Sequence, residues 1–506
     1  MEDKLQTEVN KMIRESGILL SISSLPTRYG IGTLGREARQ FVDFLKAAGQ
    51  RVWQLLPIGP TGYGDSPYQC SSIYAGNPYF VDPDTLIDEG LLLAGEVADI
   101  DWGQPGRVDY GALYAHRFAL LERAYQRGKT LRQTAFAAFR RENPWVGDYA
   151  LFMALKQKYD MRPWSEWPAA LAHREAAALA AARETLREEI SCCAFTQYLF
   201  YAQWDRLLAY AKAQGVKLIG DVPIYVPLDS ADVWMHPELF QLDEALCPTG
   251  VAGCPPDGFT EDGQLWGNPL YDWARHEQTG FAWWISRVRA AARFFDVIRI
   301  DHFRGLESYW AIPYGDPTAR NGRWVKGPGM KLLRALREGV PDVEFIAEDL
   351  GFLTPEVFRL LKDSGFPGMK VLEFAFYDAN SAYLPHNHTV NSICYTGTHD
   401  NLTLAQWMEE ESEQTVQNAV RYLGLNRAEG YVRGMLRAGM SSVSRLFVAQ
   451  MQDWLELGAE ARMNAPGSMC AQNWSWRLTA MPDEALAEEI LEMTKRYART
   501  GETIYA

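Results

Sequence analysis

Eight short apolar runs, rich in β-branched residues, are the feature that most constrains how this chain folds. Runs of this length and composition predict buried strands. Helical patterns lie between them, for example over residues 37–48, 203–214 and 283–294. Eight strands that alternate with helices predict an α/β fold of the (β/α)8 TIM-barrel type. The runs are Gly17–Ser24, Arg51–Pro57, Val216–Asp221, Val297–Asp301, Val343–Glu348, Met369–Phe376, Asn391–Thr396 and Leu446–Gln450.

The spacing of the runs predicts a single catalytic barrel domain, 1–506, that carries long insertions. A helical subdomain is expected at about 85–200, because residues 132–187 are rich in Ala, Arg and Glu with helical periodicity. Segments 227–271 and 303–341 are expected to be a cleft loop and a loop subdomain, since long loops at barrel strand ends usually shape a substrate cleft. No repeat or linker marks a detachable module, and no separate C-terminal β-sandwich is expected.

The charge and cysteine content narrow the class of partner and the compartment. A net charge of -14, with no local cluster of Lys or Arg, argues against binding to nucleic acid or anionic lipid. The apolar run 17–25 is too short to span a bilayer, so neither a signal peptide nor a membrane segment is expected. Seven scattered cysteines do not resemble a disulfide framework and favour a reducing, cytoplasmic setting.

No metal or other cofactor is expected from the sequence. His386 and His388 are close together, and Cys247 and Cys254 flank a loop. Neither pair has the further ligands that a zinc site normally requires. We therefore expect catalysis to depend on side chains alone.

Three acidic residues stand at or just after predicted strand ends: Asp301, Glu348 and Asp400. Barrel enzymes place their catalytic groups at the carboxyl ends of the strands. Any one of these acids, taken alone, is more readily explained as a helix cap or a surface charge. Three of them together indicate a catalytic site.

The surroundings of two of these acids predict opposite protonation states. Arg299 precedes Asp301 by two residues, so both side chains point to one face of a strand, where the cation favours an ionised carboxylate. Glu348 ends an apolar run beside another carboxylate, which favours the protonated form. An ionised nucleophile and a protonated acid, separated by roughly 5 Å, are the machinery of retaining glycosidases.

The segments Arg299-Ile-Asp-His-Phe-Arg-Gly, Ala347-Glu-Asp-Leu-Gly and Gly397-Thr-His-Asp-Asn resemble conserved regions of the amylomaltases, or 4-α-glucanotransferases, in the α-amylase superfamily. The resemblance extends over essentially the whole chain and includes Gly59–Gln69 and Pro255–Pro269. The Asn-His pair that commonly follows the third-strand Asp in hydrolytic amylases is absent here. Ile224-Tyr225-Val226 stands in its place, which favours the amylomaltases.

The resemblance implies roles for the three acids and for residues around them. Asp301 would be the nucleophile, Glu348 the acid and base, and Asp400 the carboxylate that binds sugar hydroxyls in the transition state. Other substrate-binding positions are implied as well. They are Tyr63, Ser66, Asp221, Trp266, Arg299, His399 and Asn464.

Two of these implications also have support in the residues themselves. Tyr63 and Trp266 lie in Gly-rich loops, where flat aromatic faces can stack on sugar rings. Asp221 is open to two interpretations, a turn or capping residue before Pro223, or a structural residue that also touches the site.

The implied activity is transfer of α-1,4-glucan segments between maltooligosaccharides or starch and glycogen chains by a retaining double displacement. The alternatives are an α-glucan hydrolase or a branching enzyme on the same barrel. A rival from another class is an inactive glucan-binding protein, although all three carboxylates are present. The expected assembly is a monomer or a homodimer.

Overall fold

The computed structural model describes residues 13–256 and 260–503 and contains the predicted barrel. Its eight strands are β1 (Ile13–Leu19), β2 (Val52–Gln54), β3 (Lys217–Val222), β4 (Val297–Ile300), β5 (Glu344–Ala347), β6 (Gly368–Val371), β7 (Ser392–Tyr395) and β8 (Leu446–Gln450). They are all parallel, in the spatial order β6-β7-β8-β1-β2-β3-β4-β5. Each predicted run overlaps one of them, so the eight-strand prediction is confirmed.

The barrel is closed between β5 and β6, where the backbone N–H of Ala347 donates a hydrogen bond to the carbonyl of Pro367 at 3.0 Å. Helices connect most successive strands, as a (β/α)8 fold requires. Between β6 and β7 the described chain has only short 3-10 turns. The connecting helices are Arg36–Ala47, Arg187–Ala213, Ala282–Phe294, Met330–Gly339, Pro355–Ser364, Leu404–Glu410, Glu413–Leu423, Tyr431–Ser441 and, after β8, Met451–Trp454 and Glu484–Arg496.

Helix Arg36–Ala47 shows why the sequence packs in this way. Its buried residues include Ala38, Phe41 and Leu45, which recur at the spacing of one helical face. Phe41 packs edge-on against Trp53 of β2 with ring centroids 4.9 Å apart. Burying a side chain of this size contributes roughly 1.5–3 kcal/mol, so one apolar stripe is enough to hold the helix against the barrel.

The segment between β2 and β3 is largely helical, as the composition predicted. Its last helix, Arg187–Ala213, also serves as the barrel helix before β3. The helix Trp145–Lys158 packs beside it, and Tyr149, Phe152 and Leu155 of that helix are buried. The other helices of this region are Pro83–Asp88, Tyr110–Leu131, Gln133–Glu142, Ala169–Ala172 and Ala176–Thr185.

Segments 227–271 and 303–341 differ from the loops that we expected. Each contributes two strands to one antiparallel four-stranded sheet, in the order 264–269, 250–254, 308–313 and 323–326. Gly250 and Gly253 lie within the second of these strands, and glycine weakens both the hydrophobic alternation and the strand propensity from which sheets are predicted. The expectation of loops was therefore wrong for these strands. The same segments also contain the helices Ala231–Met235 and Met330–Gly339.

The chain after β8 forms no β-sandwich among the described residues. Its helices lie over the barrel, and the strand Thr500–Thr503 returns to pair antiparallel with β1. No helix in the described ranges is both long and apolar enough to cross a membrane.

Candidate active site

The carboxyl ends of β3, β4 and β5 bring four of the predicted site residues together, three of them acids. Asp221 of β3 pairs directly with Arg299 of β4. Ile300 of β4 pairs with Ala347 of β5, and these residues are followed directly by Asp301 and Glu348, respectively. Because neighbouring parallel strands end at the same edge, these acids converge on one end of the barrel.

Arg299 connects two of the acids. Its Nη1 donates to Asp221 Oδ2 at 2.5 Å and to Asp301 Oδ1 at 3.1 Å. The side chains of Arg299 and Asp221 are only 4% and 2% exposed, whereas that of Asp301 is 28% exposed. The ion pair between Arg299 and Asp221 is thus buried beneath the site, and Asp301 is the member of the group that faces the cleft.

Asp301 experiences opposing effects on its charge. Burial and the nearby Asp221 raise its pKa to about 7, while Arg299 lowers it. The sequence predicted that Arg299 favours the ionised form of this carboxylate. Burial, and after it the negative charge of Asp221, are the reasons that the pKa lies higher.

Glu348 is held by the backbone beside Asp301. Its Oε2 accepts a hydrogen bond from His302 N at 2.6 Å, and its Oε1 accepts one from Leu350 N at 3.0 Å. His302 follows Asp301 directly and has a left-handed backbone with φ 50°, which turns the chain sharply after β4. Burial, with Asp301 as a further contributor, raises the pKa of Glu348 to about 8. These surroundings favour the protonated form of Glu348 near neutral pH.

Asp400 lies across the site, on the loop that follows β7. Asn464 Nδ2 donates to its Oδ1 at 2.6 Å, and His399 Nε2 is 3.4 Å from its Oδ2. Burial lowers the pKa of His399, so its ring is neutral near pH 7. Arg462 Nη2 donates to the Asp400 carbonyl at 3.2 Å and fixes the backbone of the loop.

With this geometry established, comparisons with known proteins identify the family. The family model described as 4-alpha-glucanotransferase matches residues 20–482. The chain belongs to the 4-alpha-glucanotransferase family. The resemblance to amylomaltases that the motifs indicated is therefore confirmed, and so is the activity that it implied.

Individual members of the 4-alpha-glucanotransferase family match over nearly their full length. The chain is 49% identical to the enzyme of Thermus thermophilus over 488 residues, 94% of this chain and 96% of that protein. It is 45% identical to the enzyme of Clostridium butyricum over 487 residues, 95% of this chain and 100% of that protein. The structure of the Streptococcus agalactiae amylomaltase in complex with acarbose superimposes with a TM-score of 0.93 at 42% identity, covering 96% of this chain and 99% of that one.

In this family member, Tyr68 is a site residue whose role the sequence did not reveal. Its hydroxyl donates to Asp221 Oδ2 at 2.6 Å. Its ring stacks on His399, with centroids 5.0 Å apart and planes at 17°, and lies 5.7 Å from the ring of Trp474. Tyr68 thus contacts both Asp221, at the end of β3, and His399, on the loop that carries Asp400. It lies within the Gly59–Gln69 segment that carried the family resemblance, which was the one available signal.

The remaining predicted positions differ in how closely the structure connects them to the acids. Trp266 packs edge-on against the His302 ring at 4.8 Å, so it stands beside the bond that holds Glu348. Ser66 Oγ accepts a hydrogen bond from Tyr68 N at 3.2 Å and is connected to the acids through that residue. The side chain of Tyr63 lies outside the described part of the structure.

Proposed function

We propose that this 4-α-glucanotransferase moves α-1,4-glucan segments by a retaining double displacement on Asp301 and Glu348. An Asp301 oxygen bonds to the sugar C1 as the glycosidic C1–O bond breaks, and Glu348 gives its proton to the departing 4-hydroxyl. The 4-hydroxyl of a second glucan then attacks C1 and passes its proton to Glu348. Asp301 is released, and the new linkage has the α configuration of the old one.

The observation that carries this assignment is the bond from His302 N to Glu348 Oε2, which places the acid one peptide unit from Asp301. Two carboxyls this close in the chain's fold cannot both ionise freely. The pKa of Glu348, about 8, lies above that of Asp301, about 7. The Arg299 guanidinium, which donates a hydrogen bond to Asp301 Oδ1 at 3.1 Å, favours the charged form of Asp301. This contact supports Asp301 as the nucleophile and Glu348 as the proton donor.

The loop residues supply the remaining roles that we propose. Asp400, oriented by Asn464, binds sugar hydroxyls and favours the distorted ring of the transition state. His399 and Arg299 support the same subsite, and Asp221 fixes Arg299 through the buried ion pair. Tyr63, Ser66 and Trp266 line the path of the glucan, with Trp266 on the strand of the small sheet that approaches His302.

Transfer instead of hydrolysis requires that the acceptor sugar outcompete water. Aromatic surfaces such as Trp266 bind sugar rings and exclude water from the covalent intermediate. Trp266 is half-buried against Tyr225 and His302, which gives it a fixed position beside the acids. A positioned acceptor then gains the advantage of proximity over bulk water.

Incubation of the purified enzyme with maltotriose tests the proposed activity directly. Products are separated by chain length while new reducing ends are counted. We expect glucose and a ladder of longer maltooligosaccharides with the number of reducing ends unchanged. A rise in reducing ends would instead indicate a hydrolase, and an unchanged substrate would indicate a glucan-binding protein. α-1,6 linkages in products from longer chains would indicate a branching enzyme.

The same proposal includes a cytoplasmic location, neutral glucan partners and a monomeric or homodimeric state. A net charge of -14 does not favour nucleic acid or anionic lipid as a partner. Free thiols are stable in a reducing compartment. They are found at Cys70, Cys192, Cys193, Cys247, Cys394 and Cys470.

A further inference from the structure

Two buried carboxyls lie beneath the loop that carries Asp400, although neither belongs to the reacting group. Glu373 follows β6, and Asp453 follows β8. Their exposures are 2% and 0%. The strand between them, β7, leads into loop 396–404, so the two acids flank the loop at its base.

Asp453 binds both ends of this loop. Its Oδ2 accepts a hydrogen bond from Thr396 Oγ1 at 2.6 Å, and its Oδ1 accepts one from Leu404 N at 2.8 Å. The residues Thr396 and Leu404 bracket the segment that contains His399 and Asp400. One carboxylate thus fixes the separation of the two ends.

Glu373 supports the middle of the loop. Its backbone N–H donates to the Thr396 carbonyl at 3.2 Å, and its carboxyl accepts a hydrogen bond from the backbone of Leu402. The carboxyl also packs directly on Gly397, because a Cβ at that position would overlap Glu373 Oε1. The side chain therefore occupies the space under the turn that leads to Asp400.

The fit of Glu373 under the loop depends on the shape of its side chain and on the hydrogen bond that it accepts. Burial and the nearby Asp453 raise its pKa well above the usual value, which favours the neutral acid. A neutral acid and an amide have nearly the same shape and can accept the same hydrogen bond. Replacement by Gln is consequently expected to preserve the support, whereas shorter side chains are expected to remove it.

We propose that Glu373 is a positioning residue that sets the position and orientation of the Asp400 carboxylate through loop 396–404, while Asp453 fixes the ends of that loop. The inference rests on the proposed role of Asp400. Glu373 does not contact the sugar itself, and its effect on turnover is exerted through Asp400.

The test is a double-mutant comparison with maltotriose, in which Glu373→Ala and Glu373→Gln are each made alone and together with Asp400→Asn. We expect Glu373→Ala to lower kcat by about tenfold to a hundredfold with KM within about twofold, because misplacing a catalytic group by about 1 Å has effects of this size. Glu373→Gln should retain at least about half of the wild-type kcat. In the Asp400→Asn background, Glu373→Ala should add less than about a twofold loss, because both changes act on the same group.

Asp232→Asn is the matched control. Asp232 is also 0% exposed and accepts a hydrogen bond from Ile73 N at 2.9 Å, but it lies in helix Ala231–Met235, away from loop 396–404. This variant should lower the melting temperature and leave kcat within about twofold in both backgrounds. If Glu373→Ala does not fold, Glu373→Asp, which withdraws the carboxyl by one methylene, provides the same comparison.

Equal losses from Glu373→Ala in the presence and absence of Asp400 would overturn the inference and leave the proposed function intact. So would a Gln variant as impaired as the Ala variant. Full activity of Asp400→Asn alone would overturn the role of Asp400 and this inference with it.

Discussion

The two sides of the active site are built in different ways. On one side, Asp221 and Asp301 lie on or directly after paired strands of the barrel and share the buried cation of Arg299. On the other, Asp400 lies on a loop, is 45% exposed, and is held by the neutral amide of Asn464. The strand side holds its charges through a buried ion pair, whereas the loop side holds Asp400 through a hydrogen bond from a neutral side chain.

This difference determines how each side responds to change. Removing one partner of a buried ion pair typically lowers the free energy of unfolding by about 3–5 kcal/mol, because the other charge is left uncompensated. At a half-exposed carboxylate, water can replace a lost partner, so the loss of stability there is smaller. The three predictions that follow test this contrast, beginning with the largest expected effect.

Asp301→Asn is expected to lower kcat by at least about four orders of magnitude, as removal of a covalent nucleophile does in other enzymes. The substitution keeps the volume and removes the attacking charge, so folding should be near wild type by circular dichroism. The measurement is single-turnover transfer from maltotriose.

Asp296→Asn is the control for that change, because Asp296 lies at the opposite end of β4, where its Oδ2 accepts a hydrogen bond from Leu218 N. Its activity should remain within about twofold of wild type. An Asp301→Asn enzyme with more than about a tenth of wild-type activity would contradict the mechanism.

The pH dependence of kcat/KM should be bell-shaped. Activity requires an ionised Asp301 and therefore rises as pH increases through about 7. It also requires a protonated Glu348 and therefore falls as pH increases through about 8. Because the two carboxyls interact, these values belong to the pair. Outside the window, activity should change by about tenfold per pH unit.

Glu348→Gln separates the two limbs of this profile. With an aryl maltooligosaccharide donor, whose leaving group needs no proton, the variant should lose the alkaline limb and keep the acidic one. An alkaline limb that persists in this variant would show that a group other than Glu348 holds the proton.

Much of the strand side could be predicted from the sequence. Buried parallel strands have continuous apolar runs, and the acids that end them, Asp301 and Glu348, stand at positions that the runs define. The contact of Arg299 with Asp301 could also be predicted, because a two-residue spacing on a strand places both side chains on one face. The competition of Asp221 for Arg299 could not be predicted, because it depends on the register between β3 and β4.

The loop side and the small sheet depend on contacts between distant parts of the chain. Asn464 reaches Asp400 across 64 positions, and Tyr68 reaches Asp221 across 153. No local pattern encodes such a contact, so Asn464 came from family resemblance alone and Tyr68 was not assigned. The antiparallel sheet was missed for a similar reason. Its Gly-containing strand 250–254 pairs with strand 308–313, and β4 lies between the two in the sequence.

Asn464→Ala should produce the smallest of the three effects and so completes the comparison of the two sides. A hydrogen bond to a charged group contributes about 1.5–3 kcal/mol, and water can partly replace it at the half-exposed Asp400, so we expect kcat/KM for maltotriose to fall by about tenfold. Asn464→Asp should be more impaired than Asn464→Ala, because it places a second carboxylate where Nδ2 now donates to Asp400 at 2.6 Å. Asn426→Ala, which removes the cap on Glu429 N away from the site, should leave kcat/KM unchanged. If Asn464→Ala were as damaging as Asp301→Asn, the loop side would be as rigidly required as the strand side, and the contrast between them would fail.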